Sequence, residues 1–485
     1  MDRLTDTALA HHAADIERPG YDRSAVKTGV VHLGVGAFHR AHQAVWFDDA
    51  LRSGDLRWGV LGASLRSADV HDQLAPQDGL YTLLVRDGDQ TQARIIGAVQ
   101  GVLVAPRDPG ALVQALADED VHLVTLTITE KGYKLDPVTG RLLTDDPDLA
   151  ADLTSLAAPR TAPGFLTAAL AIRRTRGLPP FTAISCDNIP ENGKRLRAAV
   201  LALAEAHDPD LAAWIAANGA FPQTMVDRIV PATTPDDIAA LSARLGVEDR
   251  AMVKTEPFRQ WVIEDRFAGP RPDFAALGVQ LTAEVAPWEE AKLRLLNGAH
   301  SAMAYLGGLA GIDFIHQVVA RPDAVSFVEA LWDEAQTTLT PPPGLDVAAY
   351  RRELMARFAN PALQHRTRQI AMDGSQKLPQ RLLATAAARL DAGLGIDAIA
   401  LGVAAWIRWQ GGVDDAGATF QVDDPLAATT AALAVGDAAT QVKAFMGLRA
   451  VVPERLAGDV GFRAALTSWL EKLMTDGALA ALAQF

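Results

Sequence analysis

Residues 29–44 have the sequence GVVHLGVGAFHRAHQA, an apolar run of strand length that passes directly into a glycine-rich turn. The turn holds Gly34 and Gly36, and a helical pattern begins at Phe38. A second apolar strand follows over residues 58–65. This order of strand, glycine turn, helix and strand predicts a βαβ unit.

The same alternation continues along the first half of the chain. Further β-rich runs occur at residues 81–86, 93–104, 121–128 and 181–186, with helical segments between them, which favours a mostly parallel, doubly wound sheet. From Trp288 onward the apolar spacing is helical, at residues 289–306, 323–337, 378–394 and 396–409. The sequence therefore predicts an α/β protein with a Rossmann-type domain at residues 1–285 and a mainly α-helical domain at residues 286–485.

Composition narrows the classes of function. The chain has 485 residues, a formal net charge of −14 and a single cysteine, Cys186. This charge disfavours binding to a phosphate backbone, so no nucleic-acid partner is expected. One cysteine cannot form an internal disulfide, and the sequence shows neither a signal-like start nor an apolar run of about 20 residues. We expect a cytoplasmic protein without a membrane partner.

The glycine turn predicts a dinucleotide site. Gly34 and Gly36 stand where the first βα turn of such a site allows a pyrophosphate close to the backbone, and Phe38 follows at the start of the helix. The full fingerprint would place a third glycine where the chain has His39. An ordinary tight turn therefore stays open as an alternative.

Asp69 lies a few residues past the second predicted strand, where a carboxylate can accept hydrogen bonds from the adenosine ribose. A carboxylate there disfavours a 2′-phosphate, so NAD is the expected cofactor. Arg66 lies three residues earlier and favours NADP instead, and a solvated surface role for Asp69 is a further alternative.

Three polar residues suited to hydride-transfer chemistry share one predicted helix, namely Lys292, Asn297 and His300. In an α-helix, Asn297 lies about 140° and His300 about 80° around the axis from Lys292, so all three fit one broad face. Alcohol oxidation needs a base for the hydroxyl proton and donors for the oxygen, and a buried lysine, an amide and an imidazole can supply these. A surface lysine and a helix end at Asn297 are the plainer alternatives.

Two strand ends add candidates for substrate contacts. Asn188 follows the strand at residues 181–186, at the sheet edge where open α/β sheets bind ligands. An Asx turn or a helix cap would explain Asn188 equally simply. Asp227 is a possible substrate-binding carboxylate, although a structural pair with Arg228 is an alternative.

Other chemistries lack their motifs. The sequence contains no HExxH pattern and no cluster of cysteine and histidine ligands, so no metal is expected. It also contains neither a GxSxG nucleophile elbow nor a GxxxxGK[ST] phosphate loop. Hydrolase and kinase functions are therefore disfavoured.

Six ordered motifs spread over nearly the whole chain resemble the mannitol dehydrogenase family, the long-chain polyol-specific dehydrogenases. They are GVGAFHRAHQA at 34–44, LTITEKGY at 126–133, SCDN at 185–188, FPQTMVDRIVP at 221–231, EPFRQWVIED at 256–265 and KLRLLNGAH at 292–300. The resemblance implies a Rossmann domain followed by a helical domain, NAD as cofactor and metal-free hydride transfer. Members of the family are often monomers, so a monomer or a weak homo-oligomer is expected.

The resemblance also implies roles for individual residues. Lys292 is implied as the general acid/base, with Asn188 and Asn297 as the pair that stabilises the oxyanion. His300 is implied as a donor that orients the substrate, and Asp227 as a hydroxyl contact. Where mannitol 2-dehydrogenases carry a Glu-Asp pair after the second strand, this chain has alanine before Asp69. With only one of the two carboxylates present, NADP is disfavoured less strongly.

Within the family, residues 256–265 and the stretch HRTRQIAMDGSQKLPQR at 365–381 resemble the fructuronate reductase branch. This resemblance implies a sugar-acid substrate, with D-fructuronate and D-mannonate as the interconverted pair. A carboxylate substrate needs a cation, and our hypothesis is that Arg259, or else Lys377, supplies it; a structural salt bridge is the alternative for Arg259. A mannitol 2-dehydrogenase, a D-arabinitol-type polyol dehydrogenase and a silent dinucleotide-binding sensor remain alternatives.

Overall fold

The computed structural model describes residues 1–11, 16–136 and 139–485. The chain forms two compact units, Met1–Val285 and Ala286–Phe485. Among the described residues, every strand lies in the first unit, and the second unit consists of helices and the loops between them. The predicted α/β class, with a Rossmann-type part followed by a helical part, is confirmed.

The first unit contains three β-sheets. Its strands are β1 (Thr28–Leu33), β2 (Gly59–Ser64), β3 (Tyr81–Asp87), β4 (Gln90–Ile96), β5 (Val99–Val104), β6 (Leu123–Leu126), β7 (Thr182–Ser185), β8 (Thr224–Asp227), β9 (Val253–Thr255), β10 (Gln260–Glu264) and β11 (Gln280–Thr282). The largest sheet has the order β5-β2-β1-β6-β7, and all of its pairings are parallel. β2 and β5 lie on one side of β1, whereas β6 and β7 lie on the other, so the strand order changes direction between β1 and β6. Open α/β sheets bind ligands at such a switch point.

Helices cover both faces of this sheet. The α-helices of the first unit are Ala37–Ala41, Gln43–Arg52, Asp69–Leu74, Pro109–Leu116, Pro147–Thr154, Ala162–Thr175, Asn192–His207, Pro209–Asn218 and Pro235–Leu245, with short 3-10 helices at Ala8–His11, Arg23–Ala25, Ala75–Gln77 and Glu130–Tyr133. In β1, Val31 and Leu33 pack into one buried core, whereas Val30 packs into another. Burial on both faces explains why the predicted parallel strands are apolar at nearly every position.

The predicted β-rich run at residues 93–104 is wrong as a single stretch, because it contains two strands that belong to different sheets. β4 pairs with β3 in an antiparallel hairpin, whereas β5 lies at the edge of the parallel sheet. The break falls at Gly97, whose N–H donates to the Asp48 carboxylate at 2.9 Å instead of to a neighbouring strand. A Cβ at Gly97 would lie 2.8 Å from Pro19, so the turn requires glycine.

The second unit surrounds one buried helix, Gly298–Leu309. The other helices of the unit are Ala286–Ala291, Lys292–Asn297, Ile315–Val319, Pro322–Gln336, Val347–Ala359, Pro361–Leu363, Thr367–Ile370, Gly374–Leu378, Pro379–Leu383, Ala384–Asp391, Asp397–Trp409, Ala427–Leu433, Ala438–Met446, Glu454–Ala457, Val460–Thr475 and Ala478–Leu482. Gly307 and Gly308 let neighbouring helices approach closely, because a Cβ at either would lie 2.5 Å from Val318 or Trp409. Within the described residues, no helix has the length and apolar character needed to cross a membrane.

Two segments that the sequence predicts as ordinary α-helix are π-helical, at Lys292–Asn297 and Pro379–Leu383. In the first, the N–H of Gly298 donates to the carbonyl of Leu293, five residues earlier. The carbonyl of Leu295 also accepts a hydrogen bond from Trp332 Nε1 at 2.8 Å, so a side chain outside the helix supports the wider turn. The predicted 3.6-residue geometry is therefore wrong for these two segments, and π-turns are frequent at functional sites.

Candidate active site

A buried histidine and two threonines fix the turn after β1. The side chain of His32 hydrogen-bonds Thr125 Oγ1 through Nδ1 at 2.7 Å, and its Nε2 lies 3.1 Å from the carbonyl oxygen of Gly34. Thr127 Oγ1 donates to the same carbonyl at 2.7 Å. Burial lowers the pKa of His32 to about 3, so the ring is neutral, and because a carbonyl only accepts, Nε2 carries its proton. His39 of the following helix stacks on this ring with the centroids 3.4 Å apart.

The two glycines of the turn differ in what they allow. Gly34 has a φ of +95°, and a Cβ there would lie 2.1 Å from the carbonyl oxygen of Thr127. Gly36 is exposed, and the only atom within 4 Å of a Cβ there is the Gly34 oxygen at 3.9 Å. The fold therefore requires glycine at residue 34, whereas the open space at Gly36 suits the close approach of a ligand.

A cavity of about 340 Å³ opens beside this turn in the first unit. It lies at the carboxyl ends of three strands, where Gly34, Ser64 and Thr127 follow or end β1, β2 and β6. Its wall includes the cations Arg66, Lys134 and Arg160 and one carboxylate, Asp148, which lies 3.9 Å from Lys134 and 4.0 Å from Arg160. An opening at the switch point, with positive charge beside an uncovered glycine, fits the phosphates of a dinucleotide.

The other two predicted cofactor residues lie near this cavity but are not among its lining residues. Asp69 is exposed in the first turn of its helix and accepts a hydrogen bond from Ser67 Oγ at 2.8 Å. Ser67 and Arg66 do line the cavity, so the segment before the helix reaches it. Phe38 is half-buried, and its ring stacks on His42 with the centroids 5.1 Å apart. The cofactor roles of Asp69 and Phe38 stay predictions.

The loop after β7 is tied to the loop after β6. The buried carboxylate of Asp187 accepts hydrogen bonds from the N–H of Thr129 at 2.8 Å and from Tyr133 Oη at 2.6 Å. Burial raises the pKa of Asp187. Asn188 follows directly and is exposed, at the carboxyl edge of the sheet where the sequence places it. These bonds join the motifs SCDN and LTITEKGY into one rigid edge.

Asp227 and Arg259 lie at the same end of the antiparallel pair formed by β8 and β10 in the first unit. Asp227 is the last residue of β8 and is buried opposite Gln260 of β10. Arg259 forms an ion pair with Asp49 at 2.7 Å, and its guanidinium lies 3.8 Å from the centre of the Trp46 ring. These contacts match the structural alternative for Arg259, so a role in substrate binding stays a prediction.

The catalytic candidates of the second unit cluster around the first π-helix. Lys292 is its first residue, Asn297 its last, and His300 follows in the next turn. All three are buried, with 6%, 8% and 8% of their surface exposed in that order. Within the described residues, Asn297 Nδ2 and His300 Nε2 have no hydrogen-bond partner. Burial and neighbouring cations hold the pKa of His300 well below its usual value, so its ring is neutral at pH 7.

Two cations of the second π-helical region lie close to His300. Lys377 is half-buried and donates to the carbonyl of Met372 at 2.5 Å. Arg381 donates through Nη1 to Ser301 Oγ at 2.9 Å and lies 3.5 Å from the carbonyl oxygen of Asn297. Burial and the charge of Arg381 lower the pKa of Lys377 to about 8.

Sequence reasoning assigned Lys377 but missed Arg381, although both lie in the motif at residues 365–381. It also missed the cations Lys134 and Arg160 of the first-unit cavity. Lys134 lies one residue beyond the motif LTITEKGY, which was the available signal, whereas Arg160 stands in no motif. Across residues 1–11, 16–136 and 139–485, no group of three or more His, Cys, Asp or Glu side chains is arranged to hold a metal ion.

Comparisons with known proteins agree with this division of the chain. The family model described as the mannitol dehydrogenase Rossmann domain matches residues 28–276, and the mannitol dehydrogenase C-terminal domain matches residues 284–474. D-mannonate oxidoreductase of Escherichia coli is 43% identical over 97% of this chain and 98% of its own length. Mannitol 2-dehydrogenase of Pyrenophora tritici-repentis is 41% identical over 97% of this chain and 84% of its own length.

A solved structure extends the similarity to the fold of the whole chain. Mannitol 2-dehydrogenase of Pseudomonas fluorescens, solved as a ternary complex with NAD and D-mannitol, matches with a TM-score of 0.89 at 36% identity. The match covers 99% of each chain. The resemblance that the six sequence motifs indicate is confirmed.

Proposed function

The chain belongs to the mannitol dehydrogenase family, and from this premise we propose that it is an NAD-dependent oxidoreductase that interconverts D-fructuronate and D-mannonate. The 43% identity to D-mannonate oxidoreductase over nearly the full length of both proteins supports the sugar-acid substrate. The observation that carries the chemistry is the buried group of Lys292, Asn297 and His300, in which an amide nitrogen and an imidazole nitrogen lack protein partners among the described residues.

The residues of the first-unit cavity fit NAD. Gly36 leaves room for a pyrophosphate, and Arg66, Lys134 and Arg160 supply positive charge to its phosphates. When bound, NAD(H) donates or accepts the hydride. The chain's own part is to hold the turn at Gly34 rigid through His32 and Thr127.

Proton transfer is the task of the second unit in this proposal. In the reductive direction, protonated Lys292 gives its proton to the oxygen of the substrate ketone. Asn297 Nδ2 donates a hydrogen bond to the same oxygen and stabilises its developing negative charge. Because His300 is neutral, it orients substrate hydroxyls without competing for the proton. Asn188 as the second oxyanion donor and Asp227 as a hydroxyl contact belong to the same proposal.

The deciding experiment compares two ketoses that differ in charge. NADH oxidation by the purified protein is followed with D-fructuronate and with D-fructose in parallel, then repeated with NADPH and without added metal. We expect a higher kcat/KM for D-fructuronate and for NADH. Faster reduction of D-fructose would reject the sugar-acid substrate and leave the lysine mechanism standing, whereas no turnover of any ketose would favour a silent dinucleotide-binding protein.

A second candidate is a mannitol 2-dehydrogenase. It is supported by the TM-score of 0.89 to the Pseudomonas fluorescens enzyme and by the 41% identity to the fungal mannitol 2-dehydrogenase. Oxidation of D-mannitol with NAD, measured beside oxidation of D-mannonate, separates the two candidates because a polyol enzyme has no need of the carboxylate.

A further inference from the structure

The guanidinium of Arg381, in the second unit, makes few hydrogen bonds to the protein. Its Nη1 donates to Ser301 Oγ at 2.9 Å and lies 3.5 Å from the Asn297 oxygen. Among the described residues it forms no ion pair, and its Nε and Nη2 make no hydrogen bond. Burial lowers the pKa of Arg381 to about 10, which expresses the cost of holding this charge away from water.

Other buried arginines of the chain show what a structural role looks like. Arg389 donates to the carbonyl oxygens of Glu334 and Gly395 and to the hydroxyl of Thr337. Arg173 likewise donates to three backbone carbonyls, those of Asp118, Val121 and Pro179. A guanidinium has five N–H donors, so a buried arginine that only supports the fold is surrounded by acceptors. Arg381 is half-buried and makes fewer such bonds than either, so most of its donors remain for a ligand or for water.

Arg381 lies in a cluster of cations, with the carboxylates Asp373, Asp423 and Asp424 on the side of Lys377. Arg357, Lys377 and Arg381 all act to lower the pKa of His300. Of these carboxylates, Asp424 accepts hydrogen bonds from the N–H and hydroxyl of Ser375 and so stabilises the start of a helix. On the side of His300 the three cations therefore favour an anion.

Three residues near Arg381 carry polar atoms without a partner among the described residues. Asn297 and His300 are more than nine-tenths buried, and Asn297 Nδ2 and His300 Nε2 have no partner among the described residues. The hydroxyl of Tyr305, whose pKa Arg381 acts to lower, is also without a partner. A ligand at this place would meet hydrogen-bond donors for hydroxyls next to a cation, which is the pattern of a sugar acid.

We propose that Arg381 binds the carboxylate of the sugar-acid substrate beside Asn297 and His300, with Lys377 contributing positive charge, and that this contact makes the enzyme select sugar acids over neutral sugars. The inference rests on the proposed function, whose sugar-acid substrate it explains. Arginine suits this task because its planar guanidinium matches a carboxylate with two parallel hydrogen bonds. Ser301 is the positioning residue, since its hydroxyl holds Nη1 in place.

The test measures selectivity, not activity alone. The kcat/KM for D-fructuronate is divided by that for D-fructose at saturating NADH, for the wild type and for Arg381→Met, Arg381→Lys and Ser301→Ala. We expect Arg381→Met to lower this ratio by about 10- to 100-fold, mainly through KM, because it removes a charge-assisted contact. Arg381→Lys should restore part of the ratio, and Ser301→Ala should lower it less than Arg381→Met does.

Arg352→Met is the matched control, because Arg352 is an exposed cation of the same unit. The selectivity ratio of this variant should equal that of the wild type. A folded Arg381→Met variant that keeps the wild-type ratio, or that loses both substrates equally, overturns the inference. If Arg381→Met does not fold, the selectivity ratio of Ser301→Ala is used instead. A wild-type ratio in Ser301→Ala would then overturn the inference. The proposed function fails separately, when the wild type itself does not prefer D-fructuronate.

Discussion

Lys292 and Asn297 are the first and last residues of one π-helical segment, so with about 4.4 residues per turn they lie only about 50° apart around the helix axis. In an α-helix the same separation would turn Asn297 about 140° away from Lys292. The wider turn thus brings an ammonium group and an amide donor to one side of the helix. The proposed mechanism, in which both groups act on one substrate oxygen, requires such an arrangement.

Replacement of Lys292 by alanine tests the proton transfer. We expect kcat to fall by about 10²- to 10⁴-fold, because general acid catalysis contributes rate enhancements of this size. The dissociation constant for NADH, measured by fluorescence titration, should stay near that of the wild type, because the proposed NAD cavity lies in the first unit. Turnover close to the wild-type rate would contradict the role of Lys292.

The two glycines of the β1 turn should respond differently to alanine. Gly34→Ala should abolish folding or strongly lower the Tm, since its Cβ would lie 2.1 Å from a carbonyl oxygen at a φ of +95°. Gly36→Ala should keep the Tm and weaken NADH binding by about tenfold or more, which corresponds to about 1.4 kcal/mol. Tm and NADH titration check both variants, and unchanged NADH affinity in Gly36→Ala would argue for an ordinary tight turn.

Gly298 follows the first π-helical segment and packs against the second, so its substitution tests how closely the two segments approach. A Cβ at this position would lie 2.9 Å from the carbonyl oxygen of Arg381. We expect Gly298→Ala to lower the free energy of unfolding by about 1–3 kcal/mol, as overpacked cores do, and to lower kcat as well. Gly395→Ala is the control in the same unit, because no atom lies within 4 Å of its Cβ. Equal stability of the two variants would show that the segments can move apart freely.

The cofactor preference depends on Asp69 in the present proposal. Asp69→Ala should raise the ratio of kcat/KM with NADPH to that with NADH by about fivefold, because two like charges about 4 Å apart in water repel by about 1 kcal/mol. Asp72→Ala is the control, since Asp72 is an exposed carboxylate of the same helix. If the two variants give the same ratio, Asp69 has no contact with the ribose.

The parallel sheet was predictable because its signals are local. The strand at residues 29–33, its glycine turn and the alternation of strands and helices follow from short apolar runs and their punctuation. The break at Gly97 was not predictable, because it depends on the Asp48 carboxylate 49 residues earlier. The hypothesis for Arg259 met a similar limit, since its partners Trp46 and Asp49 lie more than 200 residues away in the sequence.

The grouping of the candidate residues in the second unit was predictable from the sequence, but the geometry of their helix was not. Lys292, Asn297 and His300 stand in one motif, whereas the π-turn that aligns the first two depends on Trp332, a residue of another helix. Arg381 was missed for a related reason. Whether a buried arginine has enough acceptors depends on its tertiary surroundings, which no local pattern records.

The stacked pair of His32 and His39 makes the molecule sensitive to mild acid. Burial holds the pKa of His32 at about 3 and that of His39 well below its usual value, and burial lowers the pKa of His42 to about 3 as well. Below pH 6.5 the unfolded chain takes up protons at these rings that the folded chain refuses. Each ring then lowers the free energy of unfolding by about 1.4 kcal/mol per pH unit until its folded pKa is reached. The free energy of unfolding from denaturant titrations should therefore be several kcal/mol lower at pH 5.5 than at pH 7. The folded enzyme is thus expected to be more stable at neutral pH than in mild acid.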